Sequence, residues 1–213
     1  MTVARGTGSG SAAKGYRAGM DTPTPFERAV AHTLGIEGGY SDHPSDRGGK
    51  TNWGVTEAVA REHGYRGPMK AMPKSIALDI YRKAYWDKTG LDWIAAVDAD
   101  VALEVFDTGV NMGVGIAMRM LQRVLNALNR GGRDYPDIAV DGVAGPLTGA
   151  VLRAVCRLRG DKGRAVVLLY LNALQGARYI ELAEAREANE DFMFGWAKRA
   201  VVVAGALAKD VGA

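Results

Sequence analysis

The sequence is poor in cysteine and histidine. Only one of its 213 residues is a cysteine, so no disulfide can form within the chain. Cys156 lies in an apolar run, which indicates a small core residue and not a redox or zinc site. The three histidines, His32, His43 and His63, do not have the spacing of metal ligands. We therefore expect no metal and no cofactor.

Long apolar runs are also missing. The N-terminal residues contain no apolar stretch that resembles a signal peptide, and residues 1–22, rich in glycine, serine and alanine, favour a flexible leader. The most apolar late segment, Val201–Ala208, is far shorter than the ~20 residues needed to span a bilayer. The expectation is a protein made in the cytoplasm, without membrane insertion or entry into the general secretory route.

Charge is distributed unevenly along the chain. Residues 21–113 contain 10 basic and 14 acidic residues, a net −4, whereas residues 114–213 contain 14 basic and 10 acidic residues, a net +4. A basic segment attracts anionic polymers such as nucleic acid or bacterial wall, although a solvated surface of mixed charge fits as well. Because no nucleic-acid-binding motif is present and the first half is acidic, we expect no nucleic-acid partner.

The first helix has a well-marked beginning. In Thr24–Glu27 a capping residue is followed by proline at the first helical position and by glutamate three residues after the cap. One apolar face then contains Phe26, Val30, Leu34 and Glu37. Gly38-Gly39 should end this helix.

The remaining pattern is mostly helical. Residues 40–54 have turn chemistry that allows a small β-hairpin, and Thr56 and Ser75 are positioned to cap helices reaching about His63 and Trp86. Further helices are predicted over 97–110, from Val114 to about 128, and over 147–158, 162–188 and 190–208, with a loop at 130–146. The predicted fold is therefore mainly α with a small hairpin. Two domains, 23–113 and 114–213, would meet near Gly113, unless the halves share one core.

Glu37 is the first candidate for chemistry. It lies on the apolar face of its helix and in the last turn. Burial disfavours the charged carboxylate, and the helix dipole disfavours negative charge at a C-terminus, so both raise the pKa. A glutamate that keeps its proton near neutral pH is suited to general acid catalysis. The alternative is a core glutamate that pairs with an arginine.

A second carboxyl follows nine residues later. Asp46 lies in a glycine-rich polar loop that should keep it ionised, and the hydroxyl of Thr51 could hold a water molecule. One protonated and one ionised carboxyl with water between them are what glycoside hydrolysis requires. Tyr40 and Trp53 offer flat faces for sugar stacking. The alternatives are a turn-forming role for Asp46 and a core role for Trp53.

These residues form segments that resemble glycoside hydrolase family 108, a family of bacterial and phage N-acetylmuramidases. The similar segments are EGGY at 37–40, DRGGKT at 46–51, WGVT at 53–56, YRKAYWD at 81–87 and FDTGVNMG at 106–113. The second half, especially VDGVAGPLT at 140–148, is similar to the peptidoglycan-binding module often joined to that family. Together the resemblance covers about residues 25–205.

The resemblance implies a lysozyme-like catalytic domain, a helical wall-binding domain and cleavage of the β-1,4 bond between N-acetylmuramic acid and N-acetylglucosamine. Glu37 stands where the family has its catalytic glutamate. The spacing to Asp46 and Thr51 is similar to the Glu/Asp/Thr arrangement of phage lysozymes, with the second interval one residue shorter. Tyr85 and Asn111 are candidates to line the cleft, although Tyr85 suits a core position equally well.

The biological setting expected from this resemblance is that of a bacteriolytic phage or prophage endolysin. Its partner would be bacterial peptidoglycan, which it would reach through a holin-like pore or another non-classical route, acting as a monomer. Two other functions remain open at this point: a wall-binding or secretion-assisting protein, and a lytic transglycosylase that needs the acid but no activated water. Whether hydrolysis inverts or retains configuration also remains open.

Basic residues also cluster in the second half. Five lie within twelve positions: Arg153, Arg157, Arg159, Lys162 and Arg164. This cluster is either a contact for wall carboxylates or a solvated helix end.

Overall fold

The computed structural model describes residues 22–34, 39–42 and 49–197. Within these ranges the chain is mainly helical with one two-stranded antiparallel sheet, which confirms the predicted fold class. The elements are α1 (Pro25–Leu34), β1 (Thr51–Asn52), β2 (Val55–Thr56), α2 (Glu57–Glu62), a 3₁₀ turn (Met69–Ala71), α3 (Lys74–Tyr81) continued by a π turn (Arg82–Trp86) and a 3₁₀ turn (Asp87–Thr89), α4 (Leu91–Ala95), α5 (Ala99–Met112), α6 (Val114–Ala127), α7 (Pro146–Glu184) and a 3₁₀ turn (Glu187–Asn189). Residues 190–197 are again helical.

The predicted capping box at the start of α1 is present. The Glu27 carboxylate accepts hydrogen bonds from the backbone N–H and the hydroxyl of Thr24, at 2.8 and 2.9 Å. The Glu27 N–H donates to the Thr24 hydroxyl in return, at 3.2 Å. Two otherwise unsatisfied donors of the first turn are thereby paired. The predicted last turn of this helix, which contains Glu37, lies outside the described residues.

Two helices begin at other residues than predicted. Ser75 does not cap α3, because the helix begins at Lys74 and the carbonyl of Pro73 already accepts the N–H of Ile76 at 3.0 Å. Helix α5 begins at Ala99 and not near residue 97, because the Asp98 side chain accepts the N–H groups of the first turn. The Asp98 side chain thus sets the start of α5, whereas α3 starts after Pro73 without a side-chain cap.

The β-hairpin is short but well defined. Thr51 pairs with Thr56 and Asn52 with Val55, and the two turn residues between the strands, Trp53 and Gly54, have φ angles of 52° and 72°. Two central residues with positive φ are typical of a type I′ turn, whose twist matches antiparallel strands. The hairpin predicted from the turn chemistry is therefore confirmed.

Helix α5 forms the centre of the molecule and is packed against α1, α4, α6 and α7. An aromatic cluster lies beside it: Phe26 contacts Trp86 and Phe106 edge to face, at centroid separations of 5.5 and 6.2 Å. One hydrophobic core extends from α1 to the second half of α7, so it includes both segments that the sequence predicts as domains. The domain boundaries themselves remain a prediction.

The loop between α6 and α7 is held by amide side chains. Asn126 exchanges two hydrogen bonds with the backbone of Ile138, at 2.8 and 2.9 Å. The Oε1 of Gln122 accepts the N–H of Gly142 at 2.9 Å, and the Nδ2 of Asn129 donates to Asp137. These amides pair backbone groups that would otherwise lack partners in an irregular segment. The loop predicted at 130–146 is thus ordered without strand pairing.

Helix α7 consists of two arms. Gly160 has a φ of 58° and a ψ of −148°, which break the helix between residues 146–159 and residues 161–184. A Cβ on Gly163 would lie only 2.9 Å from the Val155 carbonyl oxygen, so the arms approach closely after the break. The predicted division near residue 160 agrees with this break, although the second arm ends at Glu184 and not at residue 188. None of the described helices combines the length and apolar character needed to cross a membrane.

A buried carboxyl lies where α5 meets the second arm of α7. Glu104 is 3% exposed, and its Oε1 has no hydrogen-bonding partner among the described residues. Burial, and then the charge of Asp107, raise the pKa of Glu104 from 4.5 to about 7, while contacts with Thr108 and Asn172 oppose this change. Nearby, Gln175 of α7 donates to the hydroxyl of Thr108 at 2.9 Å. The interface therefore contains an acid that resists ionisation.

Replacing Glu104 should change how stability depends on pH. The folded protein holds this proton up to about pH 7 and the unfolded chain only to about 4.5, so stability from this group is lost as pH rises between these values. Glu104→Gln should lose less free energy of unfolding from pH 4.5 to 8 than wild type, by about 3 kcal/mol at most. Denaturant unfolding at both pH values measures this difference. Exposed Glu184→Gln should behave as wild type, and equal pH slopes for Glu104→Gln and wild type would contradict the assignment.

Candidate functional site

The turn of the hairpin is packed against the end of α1. A Cβ placed on Gly54 would lie 2.8 Å from the Cδ2 of Leu34 and 2.6 Å from the hydroxyl oxygen of Tyr81. Tyr81 is 1% exposed, and its hydroxyl donates to the carbonyl of Trp53 at 3.3 Å. These contacts hold together the end of α1, the hairpin turn and α3. We call this junction, formed by Leu34, Trp53, Gly54 and Tyr81, the hairpin junction.

The hairpin is anchored on its other side by the segment before α3. The Asn52 amide donates to the carbonyl of Met69 at 2.7 Å, and the Trp53 indole N–H donates to the carbonyl of Met72 at 2.9 Å. The ammonium of Lys74 lies 5.7 Å from the centroid of the Trp53 ring. Trp53 is therefore a partly buried anchor of the hairpin, and the Lys74 ammonium already contacts one face of its ring.

Thr51 connects the hairpin to the segment that follows α1. Its backbone exchanges two hydrogen bonds with Ser41, each 2.8 Å long, and its hydroxyl donates to the carbonyl of Gly49 at 3.2 Å. The hydroxyl oxygen keeps lone pairs that can accept from a water molecule. Asp46 and Glu37 lie outside the described residues, so their assignment to the site remains a prediction.

The two tyrosines predicted to bind substrate differ in exposure. Tyr40 is 37% exposed and its hydroxyl donates to Asp42 at 3.2 Å; desolvation, this bond and the charges of Asp42 and Glu57 raise its pKa. Tyr85 is half-buried, and burial followed by the charge of Glu62 raises its pKa. Its ring centroid lies 5.5 Å from that of Tyr81, so Tyr85 is connected with the hairpin junction.

Asn111 lies apart from this group in the described contacts. It is near the end of α5, and its Nδ2 donates to the carbonyl of Asp107 at 2.7 Å and to the Asp107 carboxylate at 3.3 Å. The structure thus brings Thr51, Trp53 and Tyr85 around the hairpin junction and places Tyr40 beside the same strand. The assignment of Asn111 to a substrate site remains a prediction.

Sequence reasoning assigned no individual role to Tyr81. Tyr81 and Tyr85 are four residues apart and therefore share a helix face. That spacing was the one sign in the sequence that Tyr81 lies beside Tyr85. The contact of Tyr81 with the hairpin turn, 28 residues earlier in the chain, became visible only in the structure.

Comparison with known proteins identifies two matching family models. Residues 30–113 match the model described as Glycosyl hydrolase 108, and residues 116–201 match the model described as Predicted Peptidoglycan domain. Eleven chains of solved structures match. Among them is a structure of Brucella abortus SagA, at 29% sequence identity and a TM-score of 0.62, with 88% of this chain and 96% of that chain covered. No curated protein matches the sequence.

Gly54→Ala tests the hairpin junction. The new methyl group would meet the Tyr81 hydroxyl and the Leu34 side chain at under 3 Å, in a backbone with φ of 72°. We expect a loss of about 2–4 kcal/mol in the free energy of unfolding, from backbone strain and overpacking together, and faster hydrogen exchange at the Ser41 and Thr51 amides. The matched control is Gly64→Ala, because Gly64 has a φ of 88° but open space around a Cβ. Equal losses in both variants would show that the close packing contributes nothing.

Proposed function

We propose that this peptidoglycan hydrolase is a muramidase, because the chain belongs over residues 30–113 to the glycosyl hydrolase 108 family and carries a peptidoglycan-binding domain at 116–201. It cleaves the β-1,4 bond between N-acetylmuramic acid and N-acetylglucosamine. Glu37 is the general acid and Asp46 is the second carboxyl of the reaction.

The observation that carries the proposal is the packing of Leu34 against the hairpin turn. Leu34 precedes Glu37 by three residues, so the chain restricts the two Cα atoms to about 11 Å of separation. The end of α1 is fixed beside Gly54 and Tyr81. This short distance along the chain supports the proposed role of Glu37 in a site at the hairpin, and Val30, which shares its predicted helix face, is 4% exposed.

A similar restriction applies to Asp46. The segment that contains it leaves the described chain after Asp42 and returns at Gly49. Both ends are joined by the bridge between Ser41 and Thr51, whose two hydrogen bonds are each 2.8 Å long. The short stretch of chain between these joined ends supports the proposed role of Asp46 in the same site as Thr51.

In the proposed reaction, the proton of Glu37 moves to the glycosidic oxygen as the bond to the anomeric carbon breaks. Asp46 then either takes a proton from the attacking water or stabilises the oxocarbenium-like transition state. A carboxyl separation of about 6.5–9.5 Å corresponds to inversion and one of about 5–5.5 Å to retention. Thr51 is proposed to hold the water through its hydroxyl oxygen.

The substrate would lie along the hairpin. Tyr40 has the exposure that stacking on a sugar ring requires, whereas Trp53 presents only the part of its ring that Lys74 and the core leave accessible. Tyr85 supports this side of the junction through its contact with Tyr81. Asn111 is kept as a candidate hydrogen-bonding group for an N-acetyl substituent.

Glu37→Gln tests the proposed acid. Since the amide cannot donate a proton to the leaving oxygen, release of fragments from purified sacculi should fall by about 10²–10⁴-fold while binding to sacculi is retained. Glu184→Gln, an exposed change of the same kind on α7, should leave turnover unchanged. Turnover near that of wild type in Glu37→Gln would remove Glu37 from the mechanism.

Analysis of the released fragments identifies the reaction itself. A muramidase yields reducing N-acetylmuramic acid ends, and one oxygen of the product comes from isotopically labelled water. Reducing N-acetylglucosamine ends would place the cut at the other glycosidic bond. 1,6-Anhydro ends without incorporation of labelled oxygen would identify a lytic transglycosylase and contradict the proposed role of Asp46. Anomer analysis soon after mixing would show whether the configuration is inverted or retained.

A further inference from the structure

A groove runs between α6 and the second arm of α7. It contains two adjoining cavities of about 410 and 300 Å³, which share Arg123 and Leu174. Their lining extends from Ile116 on α6 to Leu128, the residue directly after this helix, which at 1.5 Å per residue corresponds to a length of about 18 Å. We call this surface the α6–α7 groove.

Arginines dominate the charge of the α6–α7 groove. Arg119, Arg123 and Arg178 line it together with one acid, Glu181, which pairs with Arg178 at 2.7 Å. Among the described residues, neither Arg119 nor Arg123 forms an ion pair. They are four residues apart on one helix, an arrangement in which like charges repel and destabilise the helix. An anionic ligand would relieve this repulsion.

The apolar groups of the groove limit what that ligand is. Ile116, Met120, Val124 and Leu174 contribute apolar surface between the arginines, and Tyr170, which is 52% exposed, is the one aromatic residue among the lining residues of the two cavities. Polysaccharide sites generally depend on several aromatic faces and few charges. A peptide with small apolar side chains and free carboxylates fits this surface better, because guanidinium groups bind carboxylates through two parallel hydrogen bonds.

The loop before α7 places one of these arginines. A Cβ on Gly142 would lie 2.8 Å from the Nη1 of Arg119, so the absence of a side chain at Gly142 makes room for the guanidinium. Gln122, one turn from Arg119 on α6, accepts the Gly142 N–H and holds that loop in place. The glycine-containing segment that resembles wall-binding modules thus borders the groove.

The other basic cluster in this half of the chain is less available. Arg159 pairs with Asp134 at 3.2 Å and donates to the Leu128 carbonyl. Arg164 pairs with Asp100 at 2.8 Å. Internal ion pairs therefore occupy two of the five basic residues in the 153–164 cluster. The donors of Arg119 and Arg123 have no such described partners.

We propose that the α6–α7 groove binds the free carboxylates of the peptide stems of peptidoglycan, with Arg119 and Arg123 as the contacting cations. The proposal rests on peptidoglycan being the substrate. In that polymer the lactyl carboxyl of muramic acid is joined to the peptide, so negative charge lies on the stems and not on the glycan. Binding a stem would keep the catalytic segment at high local concentration along the strand.

The test uses the full chain with Glu37→Gln, so that binding is measured without digestion. Arg119→Glu/Arg123→Glu should lower binding to purified sacculi by at least about ten-fold, since two attractive charges become repulsive. The matched control is Arg66→Glu/Lys70→Glu, which changes the same number of charges at two exposed positions four residues apart, outside the groove and outside the 153–164 cluster. It should bind within about two-fold of the parent. Equal weakening in both double variants would reduce the effect to net charge and overturn the proposal.

Two further experiments identify the ligand. Amidation of the stem carboxyls of the sacculi should weaken binding of the parent to the level of the groove variant. Undiminished binding after amidation, with loss only after phosphate-containing polymers are removed, would assign the groove to those polymers and overturn the proposal. The neutral variant Arg119→Gln/Arg123→Gln separates loss of binding from loss of folding. Its fold is compared with that of the parent by circular dichroism and thermal unfolding.

A separate measurement distinguishes this proposal from the catalytic one. With Glu37 intact, the groove variant should hydrolyse peptide-free glycan strands at the parental rate but digest intact sacculi more slowly. Failure of Glu37→Gln to abolish hydrolysis would reject the proposed acid and leave the binding result unaffected. Equal losses of the groove variant on both substrates would contradict a role in binding stem peptides.

Discussion

The burial of α5 is the constraint on which the rest of the structure depends. This helix carries buried side chains over most of its length and is packed against α1, α4, α6 and α7. Because interiors are close-packed, a helix enclosed in this way fixes the relative positions of its neighbours. The helix that leads to the candidate acid and the helix that lines the basic groove are both placed by contact with it.

Glu104, on α5, shows how this burial affects an ionisable side chain. A carboxyl that is 3% exposed beside Asp107 is easier to bury as the neutral acid, and its raised pKa follows from that burial. It is, however, too enclosed for a polymer to reach. A raised pKa therefore does not by itself identify the catalytic acid, because a catalytic group must also be within reach of the substrate.

The two proposed sites divide the work of a wall-degrading enzyme between two parts of one shared hydrophobic core. Around the hairpin junction, uncharged aromatic and hydroxyl groups suit a neutral glycan. In the α6–α7 groove, arginines above an apolar floor suit charged peptides. The segment 89–90 connects the two halves directly, since the Ala144 N–H donates to the Thr89 carbonyl at 3.0 Å and Gly90 leaves room for the Ala144 carbonyl. Peptide binding and glycan cleavage would thus take place on two parts of one continuous hydrophobic core.

The features that the sequence alone determined are local. The Thr24–Glu27 capping box and the helix break near residue 160 depend on residues within a few positions of each other, so short-range propensity was enough to predict them. A small hairpin was also expected from residues 40–54, but its turn at Trp53-Gly54 became visible only in the structure. The family resemblance likewise rested on contiguous segments. Ser75 was assigned wrongly because the adjacent proline, and not the capping side chain, set the start of the helix.

Other features were decided by tertiary structure because their partners are distant in the chain. Gly54 meets Leu34 and Tyr81, and Arg164 of α7 pairs with Asp100 of α5. The hydrophobic periodicity of a helix does not encode such contacts between distant residues. The α6–α7 groove exists only because two helices with ordinary amphipathic patterns pack side by side and leave two arginines without an acid between them. The sequence determined the kinds of residues available for function, and long-range packing decided which of them remain free to act, because burial and ion pairing depend on neighbours that the linear order does not reveal.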